Sequence, residues 1–353
     1  DYATQFPDSP NLKAFGVSKK DITVKELEEK WLDLKRMEIC ANAFNRYESV
    51  ARIMVPRIGG NRLVSAVTKE ELLYLRKDLL TGYQSPTKNK APAKGRSVVT
   101  VNYYMTTMAG MFQFAADHGY LEVNPFEGIK PLKKARAEPD PLSRDEFIRL
   151  IDACRHQQTK NLWSLAVYTG MRHGELVSLA WEDIDLEAGT ITIRRNYTKL
   201  GEFTLPKTEA STDRVVHLIQ PAISILKNQA EMTRLGRQYH IEVQLREYGR
   251  SVNHECTFVF NPHVVRRSKQ VGFIYRVDSV GDSWEVALKR AGIRHRKAYQ
   301  SRHTYACWSL SAGANPSFIA SQMANALLDT VSVSIEAEGC IFKASGYSVK
   351  FDG

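Results

Sequence analysis

Residues 162–176 read Leu162-Trp163-Ser164-Leu165-Ala166-Val167-Tyr168-Thr169-Gly170-Met171-Arg172-His173-Gly174-Glu175-Leu176. Leu162, Leu165, Ala166 and Tyr168 recur as they do on an apolar helix. Thr169-Gly170-Met171 interrupts that helix, and Arg172 falls at the start of the next, with Glu175 three residues on and within reach as an ion-pair partner. Taken alone, such an arginine is an ordinary surface group. It gains weight from two other basic positions. Lys207 stands in Leu205-Pro206-Lys207-Thr208, a turn between strand-like segments, ahead of Ser211 and Arg214. Arg302 stands in Tyr299-Gln300-Ser301-Arg302-His303-Thr304-Tyr305-Ala306, at another helix start.

Around these positions the sequence divides itself. Ser143 with Glu146 forms a capping box that opens a domain over 142–323. In it, Thr190-Ile191-Thr192-Ile193 alternates as a strand does, Phe203–Leu205 and Arg214–Leu218 extend the pattern, and helix resumes from Leu218. Upstream, residues 128–141 carry three prolines and four basic residues with little periodicity, which predicts a basic interdomain linker containing Lys133 and Lys134. A second helical domain spans 22–127. Thr23 with Glu26 caps its first helix, on which Val24, Leu27, Trp31 and Leu34 recur. Leu72, Leu73, Leu75, Leu79 and Leu80 mark another helix. Val101, Tyr104, Met108, Met111, Phe112 and Ala115 line one side of a third, whose C-cap is Gly119. Between them lies a loop bearing Lys88, Lys90, Lys94 and Arg96, which is either a solvated surface or a contact for a phosphate backbone. Residues 1–20 read as a tether, and 324–353 as a tail of different character.

The chain has 353 residues and a net charge of +10, from 49 Lys and Arg against 39 Asp and Glu. That excess points to a polyanion, nucleic acid before membrane surface. Hydrophobic content of 43% suffices for a packed core. Cys40, Cys154, Cys256, Cys307 and Cys340 are scattered, with no paired spacing and no His at metal-ligand distance, so they read as reduced thiols of a cytoplasmic protein. No run of about 18 apolar residues is present to span a membrane. Asp1-Tyr2-Ala3 lacks an initiator Met and a signal peptide, which reads as a fragment or a trimmed chain.

Taken together, Thr169-Gly170-Met171-Arg172-His173-Gly174-Glu175-Leu176, then Lys207 ahead of Ser211 and Arg214, then Tyr299 to Ala306, resemble the tyrosine recombinases, and among them the phage and prophage integrases. The resemblance covers about residues 22–323. From Tyr299 to Met323, including Ser311-Ala312-Gly313-Ala314-Asn315-Pro316, the chain looks like the lambdoid prophage integrases. It implies a multidomain, mainly α fold: a helical SAM-like core-binding domain, then a mixed α/β catalytic domain with a small antiparallel sheet, closing on duplex DNA. Residues 1–20 then look like the remnant of an arm-site-binding module.

The chemistry that the resemblance implies is attack of a tyrosine on a scissile phosphate, giving a 3′-phosphotyrosine and a free 5′-hydroxyl. No metal or nucleotide cofactor is needed, because the phosphotyrosine keeps the bond energy. Arg172 and Arg302 would hold the non-bridging oxygens as permanently charged, bidentate donors. Lys207 would protonate the leaving oxygen. Tyr299 stands where the family has histidine; its hydroxyl can bind a phosphate oxygen but is a poor proton carrier near pH 7. His303 would point elsewhere on its helix and is read as structural. The partners implied are attachment-site DNA, further copies in a tetramer, DNA-bending accessory proteins and an excisionase.

Beyond Gln322-Met323 the family continues with Gly-His and a nucleophilic tyrosine about ten residues later. Here Ala324-Asn325-Ala326 follows, and the next tyrosine is Tyr347. Residues 324–353 hold two Lys, no Arg and four acidic residues, whereas 289–302 hold six Lys and Arg and no acid. The simplest expectation is an altered frame or gene end after Met323, removing the nucleophile; the rival is that Tyr347 enters the site by an unusual path. Three functions follow: an integrase, a DNA-binding protein that regulates recombination without cutting, and a site-indifferent topoisomerase, against which the two-domain size argues.

Overall fold

The computed structural model describes residues 21–83, 93–134, 139–265 and 272–324, and the backbone of 332–336 and 339–343. The chain divides into two compact units between Arg136 and Ala137.

The first unit is helical. Helix α1 (Val24–Glu38) starts at a complete capping box, in which the Thr23 hydroxyl accepts from the Glu26 amide and the Glu26 carboxylate accepts from the Thr23 amide. Helices α2 (Ala41–Ile58) and α3 (Lys69–Thr81) follow, the latter with the same box at Thr68 and Glu71. Strand β1 (Gly82–Tyr83) pairs antiparallel with β2 (Ala93–Lys94), clasping the base of the basic loop. Helix α4 (Val98–Asp117) runs through the middle of the core and buries Val101, Tyr104, Met108, Met111, Phe112 and Ala115. Each large side chain so buried contributes about 1.5–3 kcal/mol. The predicted α3 stripe is buried only in part: Leu72 and Leu79 face the core, while Leu73 is exposed. The segment 128–134 is not free chain. Ile129 and Leu132 pack on this core, and the Asn102 side chain both donates to the Leu132 carbonyl and accepts from its amide, 2.9 Å each.

The second unit begins with α5 (Arg144–Ala153), capped by Ser143 and Glu146, followed by α6 (Gln157–Thr169) and the short α7 (His173–Val177). Strands β3 (Ile184–Asp185), β4 (Thr190–Ile193), β5 (Asn196–Tyr197), β6 (Phe203–Thr204) and β7 (Arg214–His217) come next. They divide between two sheets. β3, β4 and β7 form an antiparallel sheet with β7 at its edge. After α8 (Gln220–Thr233) the chain forms a hairpin of β8 (Tyr239–Gln244) and β9 (Ser251–Cys256), which joins β5 and β6 in a second sheet. In that sheet β6 and β8 run parallel, so a second, mixed sheet stands beside the small antiparallel one expected. Helices α9 (Val277–Arg290), α10 (Gln300–Ser311) and α11 (Pro316–Met323) complete the unit. Trp163 and Trp284 lie fully buried against one another at the centre of its core. Beyond Met323 the described backbone forms an antiparallel hairpin, β10 (Ser332–Glu336) and β11 (Gly339–Lys343).

Candidate active site

Three segments of the second unit bring three arginines together around Glu175, and two of these arginines bond its carboxylate. Helix α6 ends at Gly170, whose φ of +63° is left-handed, and a Cβ there would lie 2.5 Å from the Tyr305 ring. Glycine therefore serves both the turn and the close approach of α10. Met171 is buried, which places Arg172 at the N-cap of α7. Its amide donates to Glu175 Oε2 and its Nη1 to Oε1, both 2.9 Å. The same carboxylate takes Arg214, from the first residue of β7, at 3.0 Å and 2.7 Å. A Cβ on Gly174 would lie 2.1 Å from Asn196 Oδ1, so β5 rests directly on the backbone of α7.

Arg302, 3% exposed, comes from the first turn of α10. Its Nη1 donates to the Gly170 carbonyl at 2.5 Å and its Nη2 to that of Met323. Arg172 Nη2 donates to the Ala324 carbonyl at 3.2 Å, and Arg214 Nε to that of Gln322 at 3.1 Å. A guanidinium has five N–H donors. Arg214 makes four bonds, the fourth to the Ser211 carbonyl, and serves as a strut. Among the described residues, Arg172 and Arg302 each use two and retain three.

The electrostatics agree with this division. Burial first, and then the neighbouring Arg172 charge, pull the Arg302 pKa down to about 10. It stays cationic at neutral pH; Arg172 and Arg214 bond the one carboxylate, and Arg302, which bonds only carbonyls, adds a further positive charge beside them. Burial pushes the Glu175 carboxyl up, but the bonds and charges of Arg214 and Arg172 outweigh it and hold the pKa below the ordinary range. The residual positive charge suits an anion with several acceptor oxygens.

The other expected groups are less closely drawn in. Lys207 is exposed, in the bend after β6, and makes no hydrogen bond or ion pair among the described residues. The bend itself is braced by Arg246, which donates to the Pro206 carbonyl and to Thr212 Oγ1. Tyr299 caps α10, half exposed, its ring edge-on to His303 at 5.3 Å and its phenol near enough to favour the Arg302 charge. Burial, then Arg302, lower the His303 pKa. His173 bonds the Ala298 carbonyl, and its buried Nε2 has no partner among the described residues; burial lowers its pKa also.

In the first unit Lys94 and Arg96 are exposed, the Arg96 guanidinium 5.9 Å from the Tyr104 ring centre, and Lys133 and Lys134 are exposed beyond Leu132. Lys88, Lys90 and Tyr347 lie outside the described residues. Ala324 has φ +44° and ψ +57°, the left-handed conformation that glycine adopts freely. It stands at the position where the family continues with glycine.

Sequence reasoning missed Arg214 and Gln322 as parts of this site, and saw Glu175 only as a partner of Arg172. Glu175 and Arg214 are 39 positions apart, and no local period links them. The sole signal was the basic residue closing the Ser211–Arg214 motif.

The phage integrase family model matches residues 141–333. The chain is 57% identical over 327 residues to “Putative defective protein IntQ” of Escherichia coli (strain K12), covering 92% of this chain and 82% of that protein. It is 41% identical over 327 residues to prophage integrase IntR of the same strain, covering 92% and 78%. Among solved structures, the Tn1549 transposon integrase in complex with transposon right end DNA superposes with a TM-score of 0.67 at 18% identity, over 87% of this chain and 93% of that one. By the family match and the extent of these identities, the chain belongs to the phage integrase family.

Proposed function

We propose that this protein is a site-specific DNA recombinase of the prophage-integrase kind. Its second unit grips one phosphodiester of an attachment site between Arg172 and Arg302. The observation that carries this reading is the pair of guanidiniums, each with three N–H donors uncommitted among the described residues, held close together beside Glu175. They take the non-bridging oxygens and stabilise the charge that gathers there; loss of one such donor costs on the order of 10²–10³ in rate. Lys207, exposed on its braced bend, reaches the leaving 5′-oxygen. Tyr299 binds the phosphate without relaying a proton. The first unit acts as the core-type DNA-binding domain, with Lys88, Lys90, Lys94 and Arg96 on the phosphate backbone, and Lys133 and Lys134 of the linker along it, which gives affinity a steep salt dependence.

On this reading the protein works in the cytoplasm, as a tetramer on its DNA, with accessory DNA-bending proteins and an excisionase, and with no cofactor. No helix among the described residues is long and apolar enough to cross a membrane. A second reading is favoured by one specific fact: the only tyrosine beyond Tyr305 is Tyr347. Without a nucleophile the protein would occupy attachment sites and regulate recombination.

A nicked suicide attachment site separates the two. A covalent complex resistant to SDS, with the peptide mapped to Tyr347, is the outcome for the recombinase. A normal mobility shift with no covalent band establishes the binding-only form. Loss of both rejects the DNA reading altogether.

A further inference from the structure

Helix α11 ends with three consecutive carbonyls, Gln322, Met323 and Ala324, and each accepts from a different arginine: Arg214, Arg302 and Arg172 in turn. The last carbonyls of a helix have no partners within it and carry the negative end of its dipole, so they suit guanidiniums. The direction in which Arg172 and Arg302 present their remaining donors is thereby set by where α11 stops. What fixes that point is the side chain of Gln322, 3% exposed. Its Oε1 accepts from the His217 amide at 2.7 Å, and its Nε2 donates to the Val215 carbonyl at 3.3 Å. Those two backbone groups lie on the outer edge of β7, the side not paired with β4. The amide of Gln322 thus takes the place of a neighbouring strand, while its own carbonyl receives Arg214 from the same strand.

We infer that Gln322 is the positioning residue of the phosphate clamp. It staples α11 to the edge of β7, and so aligns the carbonyls that aim Arg302 and Arg172. The inference rests on the reading of those two arginines as a phosphate clamp. It adds that the contacts described for the aiming device all lie within residues 170–324.

The test uses the full chain and inorganic phosphate, titrated at constant ionic strength and followed by ³¹P line broadening. Arg302→Met defines the clamp-specific share of binding. Gln322→Met keeps the side-chain volume and removes both bonds to β7. It is expected to keep the parent circular dichroism and to weaken clamp-specific phosphate binding by about tenfold or more, since sites of this kind tolerate little misplacement. In the same variant, guanidinium rotation of Arg172 and Arg302, read from ¹⁵Nη spectra, should become faster, which a loss of general stability would not produce. Gln322→Glu keeps the acceptor for His217 and loses the donor to Val215, so it falls between the two and guards against a misfolded Gln322→Met. Parent-like phosphate binding in both Gln322 variants, with Arg302→Met defective, overturns the positioning role and leaves the clamp standing. If Arg302→Met binds phosphate as the parent does, the clamp reading itself falls, and this inference with it.

Discussion

The two units are stabilised by different means. In the first, the buried interior is Val24, Leu27, Trp31, Met54, Met108, Met111 and Phe112, with Glu28 its one buried charge among the described residues. The second buries Glu175, Asp183, Arg195, Arg214, Arg296 and Arg302. Desolvating a charge costs several kcal/mol, and an apolar replacement of a buried pair is often neutral or better for stability. Buried charge is therefore a poor way to hold a fold together. Where it gathers, as Glu175 with Arg172 and Arg214 and with Arg302 nearby, something besides stability has kept it. Where it is absent, the unit is a scaffold that shape and volume determine.

The sharpest way to break this comparison is to remove the shared carboxylate. Glu175→Gln leaves Arg214 and Arg172 facing each other without a counter-ion. It should cost the second unit about 3–5 kcal/mol in urea unfolding, as loss of one member of a buried network does. A cost below about 1 kcal/mol would show that the arginines are solvated and the contrast between units is illusory. Protonation makes the same change without mutation. The Glu175 pKa is lowered in the folded state, so its stabilisation is present above the ordinary carboxyl range and is lost as pH falls through that lowered value. His173 adds in the same direction: its lowered pKa means that the unfolded chain takes up the proton first, and stability declines as pH falls below about 6.5. Acid unfolding of the second unit should precede that of the first, in a pH titration read by tryptophan fluorescence.

Smaller effects sharpen the contrast. Met108→Leu, a volume-conserving change in the first core, should cost less than about 1.5 kcal/mol in the same urea measurement. Ala324→Gly should stabilise the second unit by about 1 kcal/mol, because it removes a Cβ from a left-handed backbone. A destabilising result there would mean that the turn after α11 is held by the alanine side chain itself.

What the sequence disclosed, and what it concealed, divides along the same physical line. Capping boxes at Thr23 and Ser143 are legible because donor and acceptor sit three residues apart. The stripe on α4 is legible because a buried helix imposes its period on its residues. The hairpin β8–β9 was passed over, although Ile241 and Val243 alternate with exposed Glu242 and Gln244, since a charged outer face hides a short buried one. In the site, Arg172 and Arg302 were found as motif residues. Their common dependence on the end of α11 was not, for it arises from contacts between distant segments, and a glutamine that acts as a strand resembles any other glutamine in the sequence.

The clasp between β1 and β2 has a consequence for how such a protein can change. Gly82 opposite Lys94 and Tyr83 opposite Ala93 bring the ends of the intervening segment together, and a Cβ on Gly95 would lie 1.9 Å from the Leu80 carbonyl, so the seam is locked on its helix side. Once the ends are joined, the length of what lies between is cheap: each doubling adds only about 0.6 kcal/mol of closure entropy. Residues 84–92 are in that sense an exchangeable cassette. On the proposed reading, in which this segment meets the phosphate backbone, a change in its length would alter that contact at little cost in closure entropy.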